Sequence, residues 1–404
     1  MTVLAISNAS DSGHSQAHSQ ANALMSGTRM AGPDILRSLA ILLVMLVHLP
    51  LNATPGILVG VREYGWLGVD IFFVLSGYLI GTQLFKEIAR SGTFDFKSFY
   101  LRRAFRIFPA FFVVLALYAL FPVLRDNPTM QPLWKFATFT VNLGFDPREG
   151  NAFSQAWTLA VEEQFYLVLP LLVLLLYKRV STGWILALAG MLTLGGIVLR
   201  YAIWDVQIGT LVAEGQFRPA FATFLRDVYY PTYTRLDGLL FGVVLAAARF
   251  FKPEFCRQYL PPRVTLPSGL AFVIAALICF VIRGPLAGQG IFPVFQAQLG
   301  AVAGFPLVSI GIALLFCAML DLEGILKRWS VPGAALVAAL SYSLYLTHKS
   351  VFHVMRLLVG EENLQGGVGF AAYLVASFAV AAVLWFCVEL TFLRLRDRLL
   401  SPTK

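Results

Sequence analysis

Ten apolar runs, most of them roughly 17 to 25 residues long, recur along this chain of 404 residues. Their cores fall at 35–53, 66–85, 107–124, 157–177, 183–203, 235–250, 267–283, 299–320, 335–358 and 369–393, the sixth being short. A helix of about 20 residues crosses the hydrocarbon of a bilayer, and only helices or closed barrels satisfy their backbone there. The runs therefore predict an all-α fold, a polytopic transmembrane helical bundle of about ten spans. Composition agrees: 58% of residues are hydrophobic and 13% charged, and the mean hydropathy is +0.73. These values exclude an ordinary soluble domain.

Charge then orients the bundle. Lys86, Arg90, Lys97, Arg102, Arg103 and Arg106 lie between the second and third runs. Lys178 and Arg179 follow the fourth, Arg249, Lys252, Arg257 and Arg263 the sixth, and Lys327 and Arg328 the eighth. Arg394, Arg396, Arg398 and Lys404 follow the tenth. Every second loop is thus basic, which places these loops and both termini in the cytoplasm. The net charge of +9 is spent on topology, so nucleic acid is not an expected partner. The bilayer is.

Polar intrusions into the runs are the candidate chemistry. In the stretch Asp34 to Pro50, Arg37 and His48 are eleven residues apart, close to three helical turns. They share one face and stand about 16 Å apart along the axis. With the orientation above, Arg37 is near the cytoplasmic face and His48 in the outer half. Asp70, Glu162 with Glu163, Arg235 with Asp237, and Tyr345 with His348 and Lys349 are expected at that same outer depth. Ionisable groups in lipid face the bundle interior and mark function by default. A histidine among carboxylates suits a general base whose tautomer a carboxylate fixes, and a purely structural charge network is the alternative. No GxSxG nucleophile elbow occurs, and Ser76 reads as a small helix-packing residue. On the opposite face Arg103 and Arg106, three apart, form a guanidinium pair suited to phosphate, or to anionic lipid.

The rest of the chain adds little chemistry. Residues 1–32, rich in Ser, Ala, Asn, Gln and Gly, read as a disordered cytoplasmic tail and not as a signal peptide. His14 and His18 belong to it. Residues 33–395 form the transmembrane domain, and 396–404 a basic cytoplasmic tail. The four cysteines, Cys256, Cys279, Cys317 and Cys387, form no CxxC pair, so free thiols and no metal site are expected.

Six blocks in order resemble one family, the integral-membrane acyltransferases often called acyltransferase 3. They are Arg37 and His48 with ten residues between them, GVDIFFVLSGYLIG at 68–81, Arg103-Ala-Phe-Arg106, AWTLAVEEQFYL at 156–167, RLDGLLFG at 235–242 and SYSLYLTH at 341–348. The resemblance covers about residues 33 to 395. It implies O-acylation of a surface or exported carbohydrate with an acyl-CoA donor, usually acetyl-CoA, in a bacterial inner (cytoplasmic) membrane. It implies His48 as the catalytic histidine and Arg103 with Arg106 as donor-binding; taken with the depth argument, Asp70 or Glu162 would orient the imidazole. Arg103 and Arg106, with Arg37, would hold the donor phosphates. Arg235, Asp237 and His348 would bind the acceptor or the developing oxyanion. Some members carry a further hydrolase-like domain after the last span, which is not expected here. Ten spans with buried carboxylates also suit a secondary transporter or flippase for a sugar or lipid-linked glycan, although no internal repeat is evident. The size of the acyl group, the choice between direct transfer and an acyl-histidine, and the oligomeric state stay open at this stage.

Overall fold

The computed structural model describes residues 30–91, 94–147, 149–175, 182–281, 297–329 and 331–400. The tail at 1–29, Lys178, Arg179 and the last residues 401–404 lie outside the described residues. Each of the ten expected cores coincides with a helix. These are α1 Ala31–His48, α2 Leu67–Ser91, α3 Phe96–Leu120, α4 Ala156–Leu175 and α5 Thr182–Ile203. They continue with α6 Asp237–Phe251, α7 Pro262–Val281, α8 Phe305–Asp321, α9 Ala334–Val359 and α10 Gly366–Leu384. No strand occurs among the described residues. Eight of the helices are long and apolar enough to cross a membrane on those grounds alone. The other two have physical reasons to fall short. α6 has only 15 residues, and α9 carries a polar stretch from Ser341 to Ser350 that is turned inward.

The bundle is built inside out relative to a soluble protein. Leu186, Met191, Leu194 and Val198 on α5, Leu270, Ile274 and Ile278 on α7, and Val368, Val375 and Val383 on α10 are exposed. An apolar exterior of this extent is a lipid-facing surface. The charges are inside: Asp34, Asp70, Arg200, Arg235, Asp237, His348 and Glu389 are all buried.

Two packing features position the interior. α2 and α6 cross closely because Gly77 and Gly242 meet at the crossing. A Cβ on Gly77 would stand 2.1 Å from the Leu239 carbonyl oxygen, and one on Gly242 2.3 Å from that of Val74. Small residues allow such approach between membrane helices, where dispersion rather than solvent exclusion drives packing. Meanwhile α1 runs parallel to α9. Ser38 Oγ donates to the Ala334 carbonyl (2.7 Å), and ten residues further on His48 meets His348. The start of α1 is tied down by Glu323, whose carboxylate accepts from the Ala31 and Gly32 amides at 2.6 and 3.0 Å. That contact satisfies two of the helix's orphan donors and sets a negative charge at its positive end.

Candidate functional site

Two cavities open toward opposite ends of α1. The first, of about 320 Å³, is lined by Arg37, Ser76, Gln83, Arg103, Arg106, Glu162, Tyr166 and Tyr342 among others. Arg37 reaches it from the first turns of α1, while Arg103 and Arg106 come from one face of α3. The Arg103 guanidinium lies 4.7 Å from the Tyr166 ring centroid, a cation–π contact that fixes its plane. Neither Arg103 nor Arg106 forms an ion pair with a described residue. Glu162 is the carboxylate of this cavity, and it accepts from Ser76 Oγ at 2.6 Å. Three guanidiniums thus surround one opening, and guanidinium is a side chain whose fork geometry matches phosphate and carboxylate oxygens.

The second cavity, of about 170 Å³, is lined by His48, Trp66, Ser154, Gln155, Trp157, Phe221, Tyr229 and Tyr230. A π-helical turn at Leu225–Tyr229 turns Tyr229 and Tyr230 toward Trp157, with centroid separations of 5.1 and 5.0 Å. Such turns, with their extra residue, recur at functional sites. Val69 and Tyr345 line both cavities and form the wall between them. The Tyr345 hydroxyl donates to the Gln155 carbonyl (3.0 Å) and lies 2.6 Å from Thr158 Oγ1, so the ring is held in place.

His48 ends α1 with its edge open to the second cavity. Its Nδ1 is 2.8 Å from the Val44 carbonyl oxygen. A carbonyl can only accept, so Nδ1 carries the proton and Nε2 keeps its lone pair. His348 Nε2 stands 3.2 Å from the same Nδ1, with ring centroids 5.0 Å apart.

The structure gathers some of the expected site residues and separates others. Arg37, Arg103 and Arg106, expected to act together, line one cavity. Glu162 lies on their cavity rather than at the level of His48, because its α4 face turns toward Ser76 and Arg103. Ser76 is correspondingly a hydrogen-bond donor, and its neighbour Gly77 is the packing residue. Asp70 does not touch His48. It is buried in an ion pair with Arg235 at 2.9 Å, and Arg235 packs its guanidinium 3.8 Å from the Phe305 ring centroid. Asp237 is likewise taken, by Arg200 at 2.8 Å. Arg235, Asp237 and His348, expected to contact an acceptor, are buried and line neither cavity. Lys349 is held by Asp126 (2.6 Å) and Ser154 Oγ (2.7 Å).

Sequence reasoning missed Arg200, Asp126 and the wall residue Val69. Arg200 had a signal, a lone guanidinium at the end of an otherwise apolar span. Among the described residues no three His, Cys, Asp or Glu side chains are grouped to hold a metal.

Comparison with known proteins bears on most of the chain. A family model described as an acyltransferase domain matches residues 30–386. A provisionally named O-acetyltransferase of Staphylococcus aureus (strain MSSA476), SAS0844, is 30% identical over 344 residues, 80% of this chain and 50% of the relative. The peptidoglycan O-acetyltransferase OatA of Listeria monocytogenes is 28% identical over 331 residues, 78% of this chain and 48% of the relative. The O-acetyltransferase OatA of Staphylococcus aureus (strain NCTC 8325) is 25% identical over 370 residues, 86% and 54% of the two chains. The chain thus spans about half the length of the curated relatives it matches. No solved structure matches it. With the family model covering both cavities and nearly every helix that builds them, the chain belongs to the membrane acyltransferase family, acyltransferase 3.

Proposed function

We propose that this chain is a membrane O-acetyltransferase that draws its acyl group from acyl-CoA at one membrane face and delivers it to a carbohydrate hydroxyl at the other. The observation that carries this reading is the pair of cavities at opposite ends of α1. One is lined by Arg37, Arg103 and Arg106 and the other by His48, and they share Val69 and Tyr345. CoA phosphates bind the guanidiniums, and the basic loops support a cytoplasmic position for that side. The pantetheine arm then reaches along α1, whose Arg37-to-His48 span is about 16 Å, and brings the thioester to the wall.

The acceptor hydroxyl gives its proton to His48 Nε2 as its oxygen attacks the thioester carbonyl. A C–O bond forms, the C–S bond breaks, and the proton passes to the departing CoA thiolate. Ser154 Oγ accepts from Lys349 Nζ and so keeps its own proton for the acceptor or the oxyanion. The aromatic faces of Trp66, Trp157, Tyr229 and Tyr230 suit the apolar face of a sugar ring, and the names of the relatives favour acetyl and a glycan. Both termini lie in the cytoplasm, and a bacterial cytoplasmic membrane is the setting this arrangement serves.

Transfer of radiolabel from acetyl-CoA to glycan in membrane vesicles tests the proposal. His48→Ala lowers kcat by about 10²- to 10⁴-fold, the range for loss of a general base. Arg103→Ala raises the donor KM. Wild-type transfer by His48→Ala would remove the histidine from the chemistry. An unchanged donor KM in Arg103→Ala would return the guanidinium pair to lipid anchoring. Absence of any acetyl-CoA turnover by the purified wild-type protein would favour a transporter.

A further inference from the structure

From the contact between the two rings we infer that His348 is the positioning residue of the reaction, holding His48 by its Nδ1–H and stabilising its protonated form in the place where a carboxylate is usually found. This rests on the function proposed above.

The assignment follows from acceptors that cannot donate. His348 Nδ1 lies 3.0 Å from the Leu344 carbonyl oxygen and 2.9 Å from that of Tyr345. Both accept only, so His348 carries its proton on Nδ1 and presents a bare Nε2. That lone pair is what stands 3.2 Å from His48 Nδ1. His48 Nδ1–H is shared between it and the Val44 carbonyl. One proton placement therefore satisfies the whole chain of contacts, and it leaves His48 Nε2 as the basic atom on the second cavity.

Among the described residues no carboxylate pairs with either ring. Asp70 is paired with Arg235, Glu162 accepts from Ser76 on the other cavity, and Asp126 is engaged by Lys349. The charged groups near the ring pair are thus Lys349 with its partner Asp126, and Arg62, whose Nε donates to the Leu49 carbonyl at 3.0 Å. His348 itself is fully buried, with the Phe352 ring on one side and that of Tyr345 on another. When His48 takes the hydroxyl proton on Nε2, its Nδ1–H bond to His348 becomes charge-assisted and strengthens. The proton leaves from Nε2 to the thiolate, and His348 returns to its starting state with no net change.

The experiment replaces His348 by Leu, which removes the acceptor, and by Gln, whose side-chain oxygen reaches the Nε2 position. His348→Leu lowers kcat by about 10²-fold, the cost of losing the alignment of a reacting group, with both KM values unchanged. His348→Gln recovers most of that loss. If the Leu variant does not fold, His348→Asn, too short to reach His48, takes its place. A second readout needs no acyl transfer: the rate at which diethyl pyrocarbonate modifies His48, followed by peptide mass spectrometry. It falls several-fold in the Leu or Asn variant and recovers in Gln. Equal kcat losses and equal labelling in the Leu and Gln variants would overturn the assignment. So would a rise in acceptor KM at constant kcat, the mark of an acceptor-binding residue. If the wild-type protein turns over no acetyl-CoA, the proposed function fails while the labelling still decides the contact.

Discussion

Arg200 and Arg235 are buried completely, and each has spent its charge on an aspartate of another segment. A buried pair is costly to break because the surviving partner stays charged and unsolvated; removing one member typically costs about 3–5 kcal/mol, whereas replacing both by apolar groups is often neutral. Asp70→Leu should therefore lower the thermal stability of the detergent-solubilised protein sharply. The double variant Asp70→Leu with Arg235→Met should regain most of it, which differential scanning fluorimetry would show. A double variant no more stable than either single one would mean that the pair is not a closed unit. Sequence could read that Asp70 and Arg235 are polar and deep. It could not read that they belong to each other, because the partner of a buried charge depends on which helix faces turn together. His48 shows the same limit. Its spacing from Arg37 was plain in the chain, whereas the expected carboxylate partner gives way to a carbonyl four residues earlier and a histidine 300 residues later.

At the level of elements, the α2–α6 crossing is where the fold is tightest and most exposed to mutation. Gly77→Ala forces a methyl to within 2.1 Å of the Leu239 carbonyl, backbone that cannot swing aside. The helices must separate, at a cost of about 1–3 kcal/mol by analogy with overpacked cores. Gly60→Ala, in the short helix Gly56–Arg62, is the control, since nothing lies within 4 Å of the added carbon and helix propensity favours alanine. Thermal unfolding midpoints should fall for the first and hold or rise for the second. A neutral Gly77→Ala would show that the crossing has slack. The ten long helices were legible, because hydropathy reports burial in lipid or protein alike; the short ones between them, such as Phe217–Phe224, were not. The short span of α6 and the polar stretch in α9 blur that signal for one reason: both helices are shielded by others and need less apolar surface of their own. The turn at Leu225–Tyr229 left no trace in the sequence, since an extra residue in a helical turn changes hydrogen bonding but not composition.

For the molecule as a whole, the arrangement has a sidedness that can be measured. Ile57, 89% exposed after α1, and Trp329, 80% exposed before α9, mark the two ends. In a background lacking the four native cysteines, a membrane-impermeant maleimide should label Ile57→Cys on intact cells. It should reach Trp329→Cys only after permeabilisation, and the opposite pattern would invert the topology. The positive-inside pattern sets this expectation, whereas the split of the polar residues into two cavities was not legible in the sequence, because depth along a helix says nothing about which face Glu162 or Tyr345 occupies. The wall of Val69 and Tyr345 carries one more consequence. A cell membrane stores energy as an ion gradient, and two hollows that share a wall leave little insulation between them. In a bilayer these two side chains also serve as a dielectric seal. On the function proposed above, they would set how wide the passage for a thioester can become before the enzyme turns into a leak, so that faster acyl transfer and a tight membrane would make opposite demands on the same phenol ring.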